Sequence, residues 1–387
     1  MERKNKATLF VVFLFLSVAY LMVLAAIPNG YNDMREHAAF ARDMLSGVQP
    51  TSGNFVFYWL VNIFSLFSGN IRFSEISLCL LLAAATTYRF SWSQRKIVSL
   101  VNLQKGLTTH YWVSVTLALS LLFVFAIPIP SYSLDKYMYI GNFVPNVWHN
   151  STVLFVFPFA LLLFEQSYKQ LIQYNAQRNN WILLLIFLNV FIKPSYFFVF
   201  VSVYPLLLLI KYKFKKEFWQ GILPVIIGLF FLALEFWSIY LTKDPFSAEK
   251  SSVIFQPFYS SPLFLDLWPM PYALLFSLFF PILYAVLNFN DVRKSQLFWF
   301  SALSFIVSAF IYLFIAETGP RATHGNFYWQ IVICTWICFF VSLMALLTDF
   351  KQHGKALKNS LLLSVYGIQV LIGIIYFVRL CATGNYY

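Results

Sequence analysis

Charge is what this sequence has least of. Only 11% of its 387 residues are Asp, Glu, Lys or Arg, against 60% hydrophobic and 20% aromatic, where a soluble domain carries about a quarter charged residues. That shortage, with a mean hydropathy of +0.71, argues against a soluble enzyme. No Gly-rich loop follows a strand-like run, so a nucleotide-phosphate cradle is not expected. No His-x-Glu or Cys-pair pattern marks a zinc site. The four cysteines, Cys79, Cys334, Cys338 and Cys381, lie in or beside apolar runs and read as packing residues. No tandem repeat, low-complexity linker or soluble domain is visible, so residues 1–387 read as a single transmembrane domain.

The apolar runs are continuous rather than alternating, which excludes the pattern of a membrane barrel and leaves helices. In lipid each run must close its backbone hydrogen bonds internally, and about 20 residues span the hydrocarbon core. The fold expected is therefore an all-α polytopic membrane protein with about 11 transmembrane helices. The formal charge of +12 does not point to nucleic acid, because Lys and Arg cluster in short loops between the runs, where they act as topology signals. The first run, from Ala7 to Ile27, is too long for a typical cleaved signal and is expected to be a retained span.

With the basic N-terminus assigned to the cytoplasm, residues 28–70 form the first extracytoplasmic loop. The stretch from Asn54 to Ser68 carries Tyr58, Trp59 and Asn62 and suits an interfacial helix better than a crossing. About two thirds of the 27 Lys and Arg then fall on the cytoplasmic side, as the positive-inside rule requires. One such loop is read with Arg89, Arg95, Lys96 and Lys105.

The remaining ionisable residues gather on the opposite side. Asp33, Glu36, His37 and Phe40 recur at i, i+3, i+4 and i+7, so two carboxylates and an imidazole are expected on one helix face, a candidate base. A divalent cation on this face is possible but not required. In the second exterior loop Asp135, Trp148, His149 and Asn150 mix an aromatic face with hydroxyl-binding polar groups, as a carbohydrate needs. Lys193 precedes Pro194 between two spans, where an ammonium needs a partner or an anionic ligand. The loop from Glu317 to Gln330 brings Glu317, Arg321 and His324 together. A guanidinium fork matches phosphate oxygens, so Lys193, Arg321 and His324 read as ligands of a lipid-linked phosphate and Glu317 as a substrate group. Glu235 stands alone inside a span, and residues 242–270 are long enough for a lid.

The first 100 residues resemble the GT-C superfamily of integral-membrane glycosyltransferases. The resemblance is carried by Asp33 with Glu36-His37, by Ala41 through Gly47, and by Phe57-Tyr58-Trp59-Leu60 at the head of the second interfacial helix. It implies two membrane-parallel helices, an outward-facing cavity, Asp33 as base with Glu36 and His37 as neighbours, and no obligatory cofactor. The donor implied is a polyprenyl-phosphate sugar and the acceptor a glycan or a lipid-linked glycan, while the compact loops and the absence of soluble domains point to the inner membrane of a bacterium. The sequence departs from the family in having no adjacent pair of acids in the first loop. A polysaccharide polymerase or ligase using lipid-pyrophosphate substrates, or a lipid-linked-glycan transporter, would want similar residues.

Overall fold

The computed structural model describes residues 2–28, 31–48, 53–101, 107–128, 138, 142–241, 251–258, 270–322, 325–354 and 356–386. Helices dominate. α1 (Glu2–Ala26) is followed by two short helices, α2 (Asp33–Leu45) and α3 (Phe55–Phe64), and by the long α4 (Ile71–Val101). Then come α5 (Leu107–Phe123), α6 (Ser151–Ile172), α7 (Arg178–Ile192), α8 (Ser195–Tyr212) and α9 (Lys216–Phe236), the last running into a π-helical turn, Trp237–Leu241. α10 (Met270–Ser277), α11 (Phe279–Leu287), α12 (Phe289–Val292), α13 (Gln296–Phe314), α14 (Trp329–His353) and α15 (Leu357–Thr383) complete the bundle. Among the described residues, eight helices are long and apolar enough to cross a membrane. The other expected crossings correspond to the shorter α5 and α7 and to the broken pair α10–α11. The protein is an integral membrane protein of the all-α polytopic kind.

α3 is only 10 residues long, about 15 Å at 1.5 Å per residue and half of a ~30 Å hydrocarbon core. It cannot cross. It packs on α2, α4 and α7 instead, and Asn62 Nδ2 donates to the Ala41 carbonyl at 2.9 Å, tying it to the far end of α2.

Breaks in the bundle are satisfied by side chains, as lipid surroundings demand. At the α10–α11 break, Gln369 of α15 accepts from the Phe280 N–H at 3.0 Å. Its amide also donates to the carbonyls of Phe125 (3.1 Å) and Phe276 (3.3 Å). One side chain thus closes two interrupted backbones. Gly373, one turn on, is required there, since a Cβ would sit 1.5 Å from the Phe123 carbonyl oxygen.

Arg89 corrects the sequence reading. It lies inside α4 rather than in a loop, is 3% exposed, and places its guanidinium over Phe157 and Trp336, 4.5 and 5.6 Å from the ring centroids. At the same end as Lys96, Glu165 of α6 accepts from Lys96 (2.5 Å), Lys169 (2.6 Å) and the Trp92 indole (2.6 Å). That cluster marks the end of the bundle remote from α2.

Candidate active site

The site is built on α2. Asn32 caps the helix by accepting from the Arg35 N–H at 3.3 Å, while its amide donates to the Leu24 carbonyl at 2.8 Å and that of Ile27 at 3.2 Å. These bonds fix the start of α2 to the end of α1. Asp33, the first helical residue, is therefore held in place, and the Ser151 N–H at the start of α6 donates to its Oδ2 at 2.9 Å. His37 Nε2 lies 3.4 Å from Oδ1. Burial pushes this carboxyl up, but His37 and the Ser151 N–H outweigh it and bring it down to about 2. Asp33 is ionised, and 28% of its side chain stays open.

Glu36 does not join them. At about 100° per residue, His37 lies toward the buried stripe of Met34, Ala38 and Ala41, whereas Glu36 lies roughly opposite it; Glu36 is exposed. The expected shared face is split. His37 Nδ1 instead meets the Tyr58 hydroxyl at 2.7 Å, so both ring nitrogens are engaged. Asp33 is the member of this chain with lone pairs to spare.

Lys193 sits at the break between α7 and α8, with its ammonium 5.8 Å from the Trp329 ring centroid. Among the described residues it has no ion-pair or hydrogen-bond partner. Burial lowers its pKa to about 8, opposed by the field of Asp33, with Arg321, Glu317 and Glu235 also within electrostatic range. The break thus brings one cation among three acids and a second cation.

β2 (Ile315–Thr318) carries Glu317 and pairs antiparallel with β1 (Ser252–Phe255), Glu317 opposite Val253. Glu317 is buried, and it accepts from Arg321 Nε at 2.8 Å, from Asn326 at 2.7 Å and from the Tyr240 hydroxyl. It is the counter-ion of Arg321. A cavity of about 20 Å³ beside it, lined by Tyr312, Gly325, Asn326 and Tyr328, has room for a single water. Glu317→Gln leaves Arg321 without its anion. Breaking a fully buried pair costs about 3–5 kcal/mol; since Arg321 keeps 29% of its side chain exposed, about 2–3 kcal/mol is expected, read as a lower midpoint in thermal unfolding.

Glu235, solitary in the sequence, joins the same end. Its Oε1 accepts from Asn54 at 3.0 Å, and a Cβ on Gly53 would lie 3.1 Å from its Cγ. Ser151, Tyr58 and Tyr240 were not legible as site residues, because each acts through a contact between separate elements, whereas Asn326 reaches Glu317 within one loop. A backbone N–H such as that of Ser151 leaves no signal in sequence at all.

Other expected substrate residues have structural roles. Trp148 is enclosed by Phe377, Phe123 and Tyr20, with ring centroids 4.5, 5.5 and 5.7 Å away. Asn150 caps α6 by accepting from the Val153 N–H at 3.1 Å. His149 is buried, stacked on Tyr386 at 4.2 Å and edge-on to Trp329 at 6.1 Å; burial holds it near 4, against the pull of Asp33, so it is neutral. Gly384 lets the C-terminal segment reach it, with φ +68° and room for no Cβ beside the Ala26 carbonyl, 2.0 Å away. Asp135 and His324 lie outside the described residues, as do residues 242–250 and 259–269 of the expected lid. Among the described residues no group of three His, Cys, Asp or Glu side chains lies together as a metal site would need.

The fold and site define a polytopic membrane protein whose polar cluster gathers at one end of its helix bundle. No family model matches the chain, and no curated protein does. In outline the structure is similar to ArnT from Cupriavidus metallidurans, solved bound to undecaprenyl phosphate. The identity is 12%, the match covers 96% of this chain and 71% of that one, and the TM-score is 0.46. At that level the likeness is one of outline.

Proposed function

We propose that the protein is a membrane glycosyltransferase that moves a sugar from a polyprenyl-phosphate donor to a glycan or lipid-linked acceptor, with Asp33 as base. The observation that carries this reading is the pairing of opposite functions at one end of the bundle. An ionised, partly open carboxylate lies within electrostatic reach of Lys193, a half-buried ammonium without an anion of its own among the described residues. Arg321 adds a second fixed charge.

The acceptor hydroxyl would donate to Asp33 and attack the anomeric carbon from the side opposite the phosphate. As the new C–O bond forms, the bond to the phosphate oxygen breaks, and the configuration inverts. The hydroxyl proton passes to Asp33, whose weak basicity is sufficient once the attacking oxygen gains positive character. The lipid phosphate leaves with one more negative charge, which Lys193 and Arg321 stabilise without a nucleotide. The active site would face away from the basic loops, on the outer side of a bacterial inner membrane.

The test is transfer of radiolabelled sugar from synthetic polyprenyl monophosphates by the purified protein in lipid, with membrane glycans and lipids as acceptors. Transfer is expected for at least one sugar. No transfer across a panel of donors by folded protein would overturn the reading in favour of a lipid-pyrophosphate polymerase or a transporter.

A further inference from the structure

Tyr58 of α3 touches the site through a single atom. It is 6% exposed, and its ring is packed by Phe40 at 4.6 Å and Phe57 at 5.7 Å. Phe57 is itself anchored on Phe155 of α6 at 5.2 Å. The phenol oxygen is the one polar atom of this side chain, and it meets His37 Nδ1 at 2.7 Å.

The direction of that bond follows from what lies on the other side of the ring. A carboxylate can only accept, so Nε2 must carry the hydrogen that faces Asp33. Neutral imidazole then has a bare lone pair on Nδ1, which requires a donor. The reverse tautomer would set a lone pair against a carboxylate oxygen. Burial raises the Tyr58 pKa, so the group remains a phenol with a proton to give.

We propose that Tyr58 is a positioning residue of the Asp33 site, its O–H donating to His37 Nδ1 so that the imidazole Nε2–H stays aimed at the carboxylate. With the Ser151 N–H on Oδ2, each oxygen of Asp33 then has one fixed donor, and the plane of the carboxylate is set. This rests on Asp33 being the base of the proposed transfer. The groups facing Asp33 are His37 from α2, Tyr58 from α3, His149 and the Ser151 N–H at the head of α6, and Lys193 from the α7–α8 break.

Tyr58→Phe removes the hydroxyl and keeps the ring packing. Comparable outer-shell partners are worth about 10–100-fold, and a loss of about 10-fold in kcat is expected, with the donor KM within about twofold. The pH profile adds a readout that a packing role would not move: the variant should begin to fall below about pH 5 while the parent holds to about pH 3, as Asp33 drifts from about 2 toward an ordinary carboxylate. In a His37→Gln background the Tyr58→Phe change should add almost nothing, because the link between the two is already cut.

The ¹⁵N histidine spectrum of the protein in lipid tests the same bond without activity. The His37 Nδ1 signal, assigned by its loss in His37→Gln, should move on Tyr58→Phe. Unchanged rate, pH profile and Nδ1 signal would overturn the proposal. If the parent transfers no sugar, the glycosyltransferase reading falls while the spectrum still decides whether Tyr58 orients His37.

Discussion

Asp33→Asn should lower sugar transfer by about 10²–10⁴-fold, the range for loss of a general base, while donor affinity stays within about twofold. The amide has nearly the shape of the carboxylate but cannot take the proton of the acceptor hydroxyl. It also mismatches its surroundings, since the Ser151 N–H and His37 Nε2 both point donors at this side chain. One of them must face the new NH₂ group. Asp33→Glu keeps the charge yet moves it by one methylene, out of reach of the Ser151 N–H, and should also be severely impaired. Turnover by Asp33→Asn close to the parent rate would remove Asp33 from the chemistry. Donor binding measured separately, by equilibrium capture of labelled lipid, separates this effect from a folding defect.

Lys193→Met should weaken donor binding by roughly 10–100-fold, because a hydrogen bond to a charged group contributes about 1.5–3 kcal/mol. It should also slow turnover, since the leaving phosphate gains charge as the glycosidic bond breaks. The same change is expected to raise the unfolding midpoint. A half-buried ammonium without an acceptor among the described residues is costly, and an apolar side chain of similar length relieves that cost. A stability gain coupled to an affinity loss is what an anion-binding lysine predicts; loss of both would mean that Lys193 is structural.

The pH dependence of this binding follows from the lowered pKa of Lys193. The ammonium form, which binds the phosphate, predominates below about 8 and is lost as pH rises through that value. Donor affinity of the free protein should therefore be steady near neutrality and fall above about pH 8, by up to tenfold per pH unit. Lys193→Arg keeps the charge across this range and should flatten the profile. A parent profile that stays flat to pH 10 would contradict the assignment.

The spans could be read in advance because hydropathy is a local property. A run of apolar residues must be helical in lipid whatever surrounds it, and the run from Ser151 or from Trp329 needs no partner to declare itself. The shortness of α3 was equally legible, as was the break at Lys193-Pro194. Arg89 shows where this reasoning stops. Its charge suggested a loop, but the faces of Phe157 and Trp336, brought in by α6 and α14, accommodate it inside α4.

The candidate site divides along the same line. Helical spacing alone suggested that Asp33, Glu36 and His37 share a face, but only the packing of α2 against its neighbours chose which side is buried, and it left Glu36 out. Trp148 and Asn150 have the side chains a sugar site wants, yet one fills the core and the other caps a helix. Glu317 has the chemistry of a substrate ligand and is consumed by Arg321, Asn326 and Tyr240.

By itself, then, the sequence determined that this is a helical membrane protein, where its main spans run, and that its unexplained ionisable residues collect toward one side. Tertiary structure decided which of them meet. Asp33 with the Ser151 N–H, His37 with Tyr58, Glu235 with Asn54 and Glu317 with Tyr240 are separated by 118, 21, 181 and 77 residues. Contacts of that kind depend on how helices pack, and the pattern of residues along any one helix does not contain them.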